Sequence, residues 1–131
     1  MASSRKPIVA VVDDDQRVLE SLEDLLESAG HSVRVFSSAT ALLENDGLAQ
    51  IDCLIADIGM PVIDGFELQR LARTARPELP VILITGRHEI ADQQRAIAQG
   101  NQGFFQKPFS GQALLAAISQ ALRAAHRGDD P

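Results

Sequence analysis

Short apolar segments alternate with amphipathic segments along the whole chain, and this alternation constrains the fold more than any other feature. Residues 8–12, 53–56 and 81–84 are continuous apolar runs, which are typical of strands buried on both faces of a parallel sheet. Residues 32–36 alternate and predict an edge strand, and residues 103–106 predict a last short strand. Strands that alternate with helices pair in parallel through right-handed crossovers.

The segments between the strands repeat their apolar residues at helical spacing. The first predicted helix begins at Gln16 and is stopped by Gly30. The other predicted helices run from the capping residue Ser38 to about Asn45, over 66–75, over about 90–99, and from the capping residue Ser110 onward. Five strand–helix units in 131 residues predict an open doubly wound α/β sheet, since a barrel of eight units needs roughly 200 residues or more.

Composition excludes several classes of function. The net charge is −6, there is no basic stripe, and there is no Trp or Tyr, which argues against direct nucleic-acid binding. The longest apolar runs fall far short of a membrane span, and the N-terminal one is too short for a signal peptide. The single cysteine, Cys53, fits a reducing compartment. We therefore expect a soluble, cytoplasmic protein without membrane partners.

Polar side chains collect where the central strands end. They are Asp13 and Asp14 after the first strand, Asp57 after the third, Thr85 after the fourth and Lys107 after the fifth. Parallel strands end at the same edge of a sheet, and neighbouring strands lie about 4.8 Å apart, so these side chains can share one site.

This set of groups suits a magnesium ion and phosphoryl chemistry. Three carboxylates offer the hard oxygen ligands that Mg²⁺ prefers, and without a cation their repulsion should raise the pKa of at least one of them. An aspartate can attack phosphorus, a lysine or a cation can neutralise the phosphoryl oxygens, and a threonine hydroxyl can hydrogen-bond the attached group.

The spaced motifs of the chain resemble one family closely. Asp-Asp after the first strand, 57-DIGMPVIDG-65, 84-ITG-86 and 107-KPF-109 resemble the receiver domain of two-component response regulators, over about residues 7–123. The resemblance implies a flavodoxin-like three-layer sandwich with a five-stranded parallel sheet in the order 2-1-3-4-5. It implies a single receiver domain over residues 1–131, in which 124–131 form a tail or the start of a linker.

The resemblance also implies the roles of the residues that hold the phosphoryl group and the metal. Asp57 would accept a phosphoryl group from a sensor histidine kinase or a phosphotransfer protein. Asp13, Asp14 and Asp57 would hold Mg²⁺, with the backbone carbonyl of Gly59 as a further ligand.

Other positions would couple the site to partners. Lys107 would contact the phosphoryl group and Thr85 would move toward it. Phe104 stands at the switch-aromatic position, where it lacks a hydroxyl and must act through packing, or serves the core alone. The surface of the fourth helix, fifth strand and fifth helix would then change. We hypothesise that Arg87 affects the rate of dephosphorylation.

The downstream partner is open at this level. It would be a protein effector or an output domain beyond this sequence, because the sequence style resembles regulators that carry a DNA-binding helix-turn-helix. A phosphorylation-dependent dimer also fits the family. The chain is either a receiver alone or a piece of a longer regulator. Neither case involves direct nucleic-acid binding by this domain.

The main alternative is an enzyme. Asp13 and Asp15, with Thr85 and Lys107, superficially resemble haloacid-dehalogenase phosphohydrolases, in which Asp13 would be the nucleophile. That family has a small residue where Arg17 stands, and it would leave Asp57 without a role. We expect a switch that turns over its own phosphoryl group and no external substrate. A receiver that only binds partners and a nucleotide-binding domain rank lower, the latter for want of a glycine-rich loop.

Overall fold

A computed structural model of the chain describes residues 6–86, 94, 95, 98, 103–107 and 110–128. The elements, in chain order, are β1 (Ile8–Val12), α1 (Gln16–Ser28), β2 (Ser32–Phe36), α2 (Ala39–Leu43), a 3₁₀ helix (Glu44–Gln50), β3 (Cys53–Asp57), α3 (Gly65–Ala75), β4 (Val81–Thr85), β5 (Gly103–Gln106) and the C-terminal helix (Gly111–Gly128). The five strands form one parallel sheet in the order β2-β1-β3-β4-β5, which confirms the predicted fold. The helix predicted over 90–99 lies mostly outside the described residues.

The sheet has an apolar layer on each face. In β1, Val9 and Val11 pack with α1 and the C-terminal helix, whereas Ala10 and Val12 pack with α2 and α3. All four side chains are fully buried, as are the central residues of β3 and β4. Successive side chains of a strand point to opposite faces, so a continuous apolar run is what a sheet covered on both sides requires.

Helix starts are fixed by polar caps, each worth about 1 kcal/mol. Asp15, Ser38, Asp64 and Ser110 each accept a hydrogen bond from a backbone amide two or three residues further on, at 2.9 to 3.2 Å. These bonds confirm the predicted helix starts and hold α1 and α3 directly behind the ends of β1 and β3.

Two elements end differently from the sequence prediction. The helix after Ser38 stops at Leu43, and a 3₁₀ helix follows to Gln50. A 3₁₀ helix bonds three residues apart, so its apolar residues do not repeat at the 3.6-residue period that marks an α-helix. The C-terminal helix extends through residues 124–128, so the first part of the predicted tail is helical. Among the described residues, no helix is long and apolar enough to cross a membrane.

Side-chain hydrogen bonds to the backbone fix the amino edge of the sheet. The Asp52 carboxylate accepts a hydrogen bond from the Ile8 amide at 2.7 Å. The guanidinium of Arg76, at the end of α3, donates to the carbonyls of Leu48 and Ile51 at 2.7 and 2.5 Å. These bonds fix the chain just before it enters β1 and β3.

Candidate functional site

The predicted polar cluster forms at the carboxyl edge of the sheet. Asp13 and Asp57 end the adjacent strands β1 and β3, and Asp14 follows in the next position. One carboxylate oxygen from each of the three lies within 4.8 Å of the others. Lys107 reaches the same place from the end of β5. Thr85, at the end of β4, is fully buried.

Asp13 is a buried carboxylate whose two oxygens both accept hydrogen bonds. Its side chain is 0% exposed. Oδ1 accepts from the Asp15 amide at 2.9 Å, and Oδ2 accepts from the Lys107 ammonium at 2.9 Å. Because a buried charge is costly unless it is paired, Lys107 is what makes a charge at this position tolerable.

The Asp57 carboxylate is less constrained by its contacts than that of Asp13, and the Asp57 side chain is 10% exposed. Oδ1 accepts from the Gly59 amide at 3.2 Å, and Oδ2 lies 3.9 Å from the Lys107 Nζ. Burial raises the pKa of Asp57, and the Asp13 charge raises it further, while the Gly59 hydrogen bond and Lys107 oppose the shift. The predicted rise in a carboxylate pKa is confirmed, with desolvation rather than repulsion as the first cause.

Lys107 bridges the two aspartates but lies nearer to Asp13. Its side chain is 25% exposed, and its backbone amide donates to the Thr85 carbonyl at 2.6 Å. That backbone bond continues the pairing of β4 with β5 and fixes the point from which the lysine side chain starts. Lys107 therefore enters the site from one side, and its contact with a phosphoryl group stays a prediction.

The three carboxylates fit a small divalent cation. One carboxylate oxygen of each aspartate lies within 4.8 Å of the others, and carboxylate oxygens are the ligands that Mg²⁺ prefers, so these three residues would hold the ion. Asp14 is exposed, which leaves its carboxylate accessible from solution. The Gly59 amide faces the Asp57 carboxylate, and the use of the Gly59 carbonyl as a ligand stays a prediction.

Residues 58–64 form the loop between β3 and α3, and Asp57 is contacted near both ends of this loop. At its start, the Gly59 amide binds the Asp57 side chain. At its end, a Cβ on Gly65 would lie 2.7 Å from the Asp57 carbonyl oxygen and 2.8 Å from the Ile58 Cα, so only glycine allows this approach. Sequence reasoning missed this role of Gly65, although a glycine directly after the capping residue Asp64 is a signal of close packing.

The aromatic residues of β5 divide between the two faces of the sheet. Phe104 is half-buried and packs against the layer that includes α2 and α3. Phe105 packs against the layer of α1 and the C-terminal helix. Phe104 therefore makes core contacts, and its predicted role as a switch is untested. Arg87, for which an effect on dephosphorylation is hypothesised, lies outside the described residues.

An open groove of about 620 Å³ adjoins the site between α1 and the start of the C-terminal helix. Apolar side chains of α1, including Val18, Leu22 and Leu25, line it, and Arg17 and Lys107 add positive charge. The groove opens beside Lys107, at the side of the carboxylate cluster.

Comparison with known proteins settles the family. The model of the response regulator receiver domain matches residues 9–119. The chain belongs to the response regulator receiver family. This membership, together with the sheet order, places it among the flavodoxin-like receivers of two-component signal transduction.

Individual receivers resemble the chain over most of its length. Response regulator protein TmoT of Ectopseudomonas mendocina is 40% identical over 123 residues, which are 94% of this chain and 56% of TmoT. The solved structure of response regulator StyR is 40% identical, with a TM-score of 0.85, and the match covers 95% of this chain and 63% of that one. A CheY-like receiver domain protein from Methanospirillum hungatei JF-1 is 26% identical, with a TM-score of 0.84 over 95% of this chain and 99% of that one. The chain spans about half the length of the curated relatives it matches.

Proposed function

We propose that this receiver is a phosphoryl-accepting switch in which Asp57 takes a phosphoryl group from a phosphohistidine of a sensor kinase or phosphotransfer protein. The observation that carries the proposal is the contrast between the two buried aspartates. Asp13 has both oxygens engaged, by Lys107 and by the Asp15 amide. Among the described hydrogen bonds, the one to the Asp57 carboxylate reaches Oδ1, so Oδ2 is the better-placed nucleophile.

The step follows from the residues at hand. Oδ2 of Asp57 forms a bond to phosphorus while the bond between phosphorus and the donor imidazole nitrogen breaks. The electron pair stays with the imidazole, which takes a proton from solvent. Lys107 lies 3.9 Å from Oδ2 and would neutralise charge on the phosphoryl oxygens.

Asp13, Asp14 and Asp57 would hold a magnesium ion, with the Gly59 carbonyl as a further ligand. When bound, Mg²⁺ supplies positive charge for the transferring phosphoryl oxygens. The clustered carboxylates, which repel one another without a cation, are the part of this chain that favours such binding. Asp14 contributes most of the accessible charge, since it is the exposed member of the three.

Partners would contact the receiver at two surfaces, one for the donor of the phosphoryl group and one for the protein that responds to the phosphorylated state. The groove beside α1 and Lys107 suits the donor protein, because it opens next to the site. The surface around β5, with Phe104 and the helices that flank this strand in sequence, suits the downstream effector or output domain. Thr85 would couple them by moving toward the phosphoryl group. The switch would dephosphorylate itself and turn over no external substrate.

The phosphohydrolase alternative is not favoured. Its second aspartate, Asp15, caps α1 by accepting hydrogen bonds from the Arg17 amide and side chain. The family match and the position of Asp57 in the cluster both support the receiver.

The test is the intact mass of the protein after incubation with acetyl phosphate, with and without Mg²⁺, for the wild type, Asp57→Asn and the matched variant Asp13→Asn. We expect one phosphoryl group on the wild type, dependent on Mg²⁺ and absent from Asp57→Asn. A gain that persists in Asp57→Asn but disappears in Asp13→Asn would revive the phosphohydrolase, as would rapid turnover of p-nitrophenyl phosphate. No gain in the wild type would favour a receiver that only binds partners.

A further inference from the structure

Helix α3 carries a buried side-chain amide that is not hydrogen-bonded. Gln69 is 1% exposed, and its Nε2 and Oε1 atoms make no hydrogen bond within the part of the chain that the structure describes. Its neighbours one turn before and after it on α3, Phe66 and Ala72, belong to the apolar layer on this face of the sheet. A glutamine amide offers two N–H donors and a carbonyl acceptor, so this position leaves both kinds of group unsatisfied.

The amide makes this conformation less stable than an apolar side chain would. Burying an amide without hydrogen bonds costs free energy, whereas methionine, of similar length and also unbranched, would fill the same space without that cost. Helix propensity does not explain the choice, since glutamine and methionine are about equally good helix formers. Buried polar groups in folded proteins almost always have partners, so this exception indicates a second state in which Gln69 finds one.

Space for such a state lies next to Gln69. An open cavity of about 330 Å³ is lined by Gln69 together with Arg70, Arg73 and Thr74. Arg70 and Thr74 are exposed, so solvent reaches this cavity. A small displacement of α3 with a rotation of the Gln69 side chain would bring the amide into the cavity, where water would supply the missing hydrogen bonds.

The start of α3 is in close contact with the proposed phosphorylation site. A Cβ on Gly65 would lie 2.7 Å from the Asp57 carbonyl oxygen. The next residue, Phe66, is fully buried, and the Arg95 guanidinium lies over its ring at 4.3 Å from the centroid, which joins α3 to the chain that follows β4. Close-packed elements transmit small displacements, and Gln69 lies on the same side of α3 as Gly65, one turn further on. A change at Asp57 therefore reaches Gln69.

We infer that Gln69 sets the balance of the switch: its amide raises the free energy of the unphosphorylated conformation and becomes hydrated when phosphorylation of Asp57 displaces α3. The inference rests on the proposed function and deepens it by naming a residue that regulates the same site. The populations of two conformations depend on the difference between their free energies. An apolar residue at position 69 would stabilise the unphosphorylated conformation, so a ligand that favours the other one should bind more weakly.

The experiment measures both stability and ligand affinity. The variants are Gln69→Met, Gln69→Leu as a second apolar replacement, and Gln120→Met, the same substitution at an exposed position of the C-terminal helix, as the matched control. The probe is beryllofluoride with saturating Mg²⁺, which mimics a phosphoryl group on a carboxylate. We expect Gln69→Met to raise the melting temperature of the free protein by about 5 °C. It should also raise the apparent Kd for beryllofluoride, measured by isothermal titration calorimetry, by about fivefold or more. Gln120→Met should change neither quantity.

Two results would overturn the inference. A lower melting temperature in both Gln69→Met and Gln69→Leu would show that the amide stabilises the free protein, as it would if an ordered water bonded it. A higher melting temperature with an unchanged Kd for beryllofluoride would show that the amide is equally costly in both conformations. A wild type that binds no beryllofluoride in Mg²⁺ would instead contradict the proposed function.

Discussion

Replacing Lys107 by methionine should destabilise the fold substantially, because Asp13 depends on the lysine. Asp13 is 0% exposed, and its Oδ2 accepts the Nζ hydrogen bond at 2.9 Å. Removing one partner of a fully buried pair costs about 3–5 kcal/mol. Lys107 is 25% exposed, so water can partly replace its ammonium group, and the loss should approach that of a charged hydrogen bond, about 2–3 kcal/mol. For a domain of this size the melting temperature should fall by roughly 10 °C.

The assay is thermal and urea unfolding, followed by circular dichroism in metal-free buffer, for a double-mutant cycle. The four proteins are the wild type, Lys107→Met, Asp13→Asn and the double variant. In the Asp13→Asn background the fully buried charge is gone and Asp57 keeps its hydrogen bond from the Gly59 amide, so Lys107→Met should cost less than about 1 kcal/mol there. Saturating Mg²⁺ should reduce the loss in Lys107→Met, since a bound cation replaces part of the missing positive charge.

Equal costs of Lys107→Met in the two backgrounds would refute this reasoning, because the lysine would then act independently of Asp13. A cost below about 0.5 kcal/mol in the wild-type background would refute it as well, since the pair would behave like an exposed ion pair. Lys107→Arg is the matched control that keeps the charge and should retain most of the stability.

Three further predictions concern the same edge of the sheet. Gly65→Ala should lower the free energy of unfolding in urea by about 1–3 kcal/mol and slow phosphorylation by acetyl phosphate, because the added Cβ would lie 2.7 Å from the Asp57 backbone. Gly59→Ala is the control and should fold normally, since its Cβ would lie 3.7 Å from the Asp57 carboxylate. Equal effects of the two substitutions would contradict the close approach at Gly65. The pKa of Asp57 is raised in the folded protein, so the native state binds the carboxyl proton of Asp57 more tightly than the unfolded chain does. The stability of the fold that comes from this proton is present below pH 3.8 and is lost as pH rises through the folded pKa. Asp57→Asn should therefore gain stability over the metal-free wild type between about pH 4 and neutrality, and a constant difference in melting temperature would count against the shift. Asp14→Ala should abolish the stabilisation by Mg²⁺ while raising the metal-free melting temperature, and a lower metal-free value would contradict the repelling cluster.

The sheet and the cluster could be predicted because both follow from patterns that are local in sequence. The apolar runs at 8–12, 53–56 and 81–84 can be satisfied only by burial on both faces, and the structure has β1, β3 and β4 there. Once the strands are parallel, Asp13, Asp57 and Lys107 must end at one edge. The resemblance to receivers then supplied the strand order, which the structure confirms.

Other features depend on three-dimensional detail that no pattern encodes. The preference of Lys107 for Asp13 over Asp57 is a difference of 1.0 Å between 2.9 and 3.9 Å, set by the rotamers of three side chains. The contact of Gly65 with the Asp57 backbone depends on how α3 docks against β3. The φ of Val62 is +68°, which contradicts the local preference of a β-branched residue, so propensity could not have revealed it.

The two edges of the sheet differ in what their polar side chains do, and this difference bears on how freely such a protein can diverge. Asp52 and Arg76 at the amino edge bond to backbone groups and hold the chain in place. Asp13 and Asp57 at the carboxyl edge are clustered at a cost in free energy. Substitutions at one edge can thus restore stability that is lost at the other without touching the reactive groups. A chain built in this way can change the residues of its carboxylate cluster and compensate some 15 Å away, at the opposite ends of the same five-residue strands.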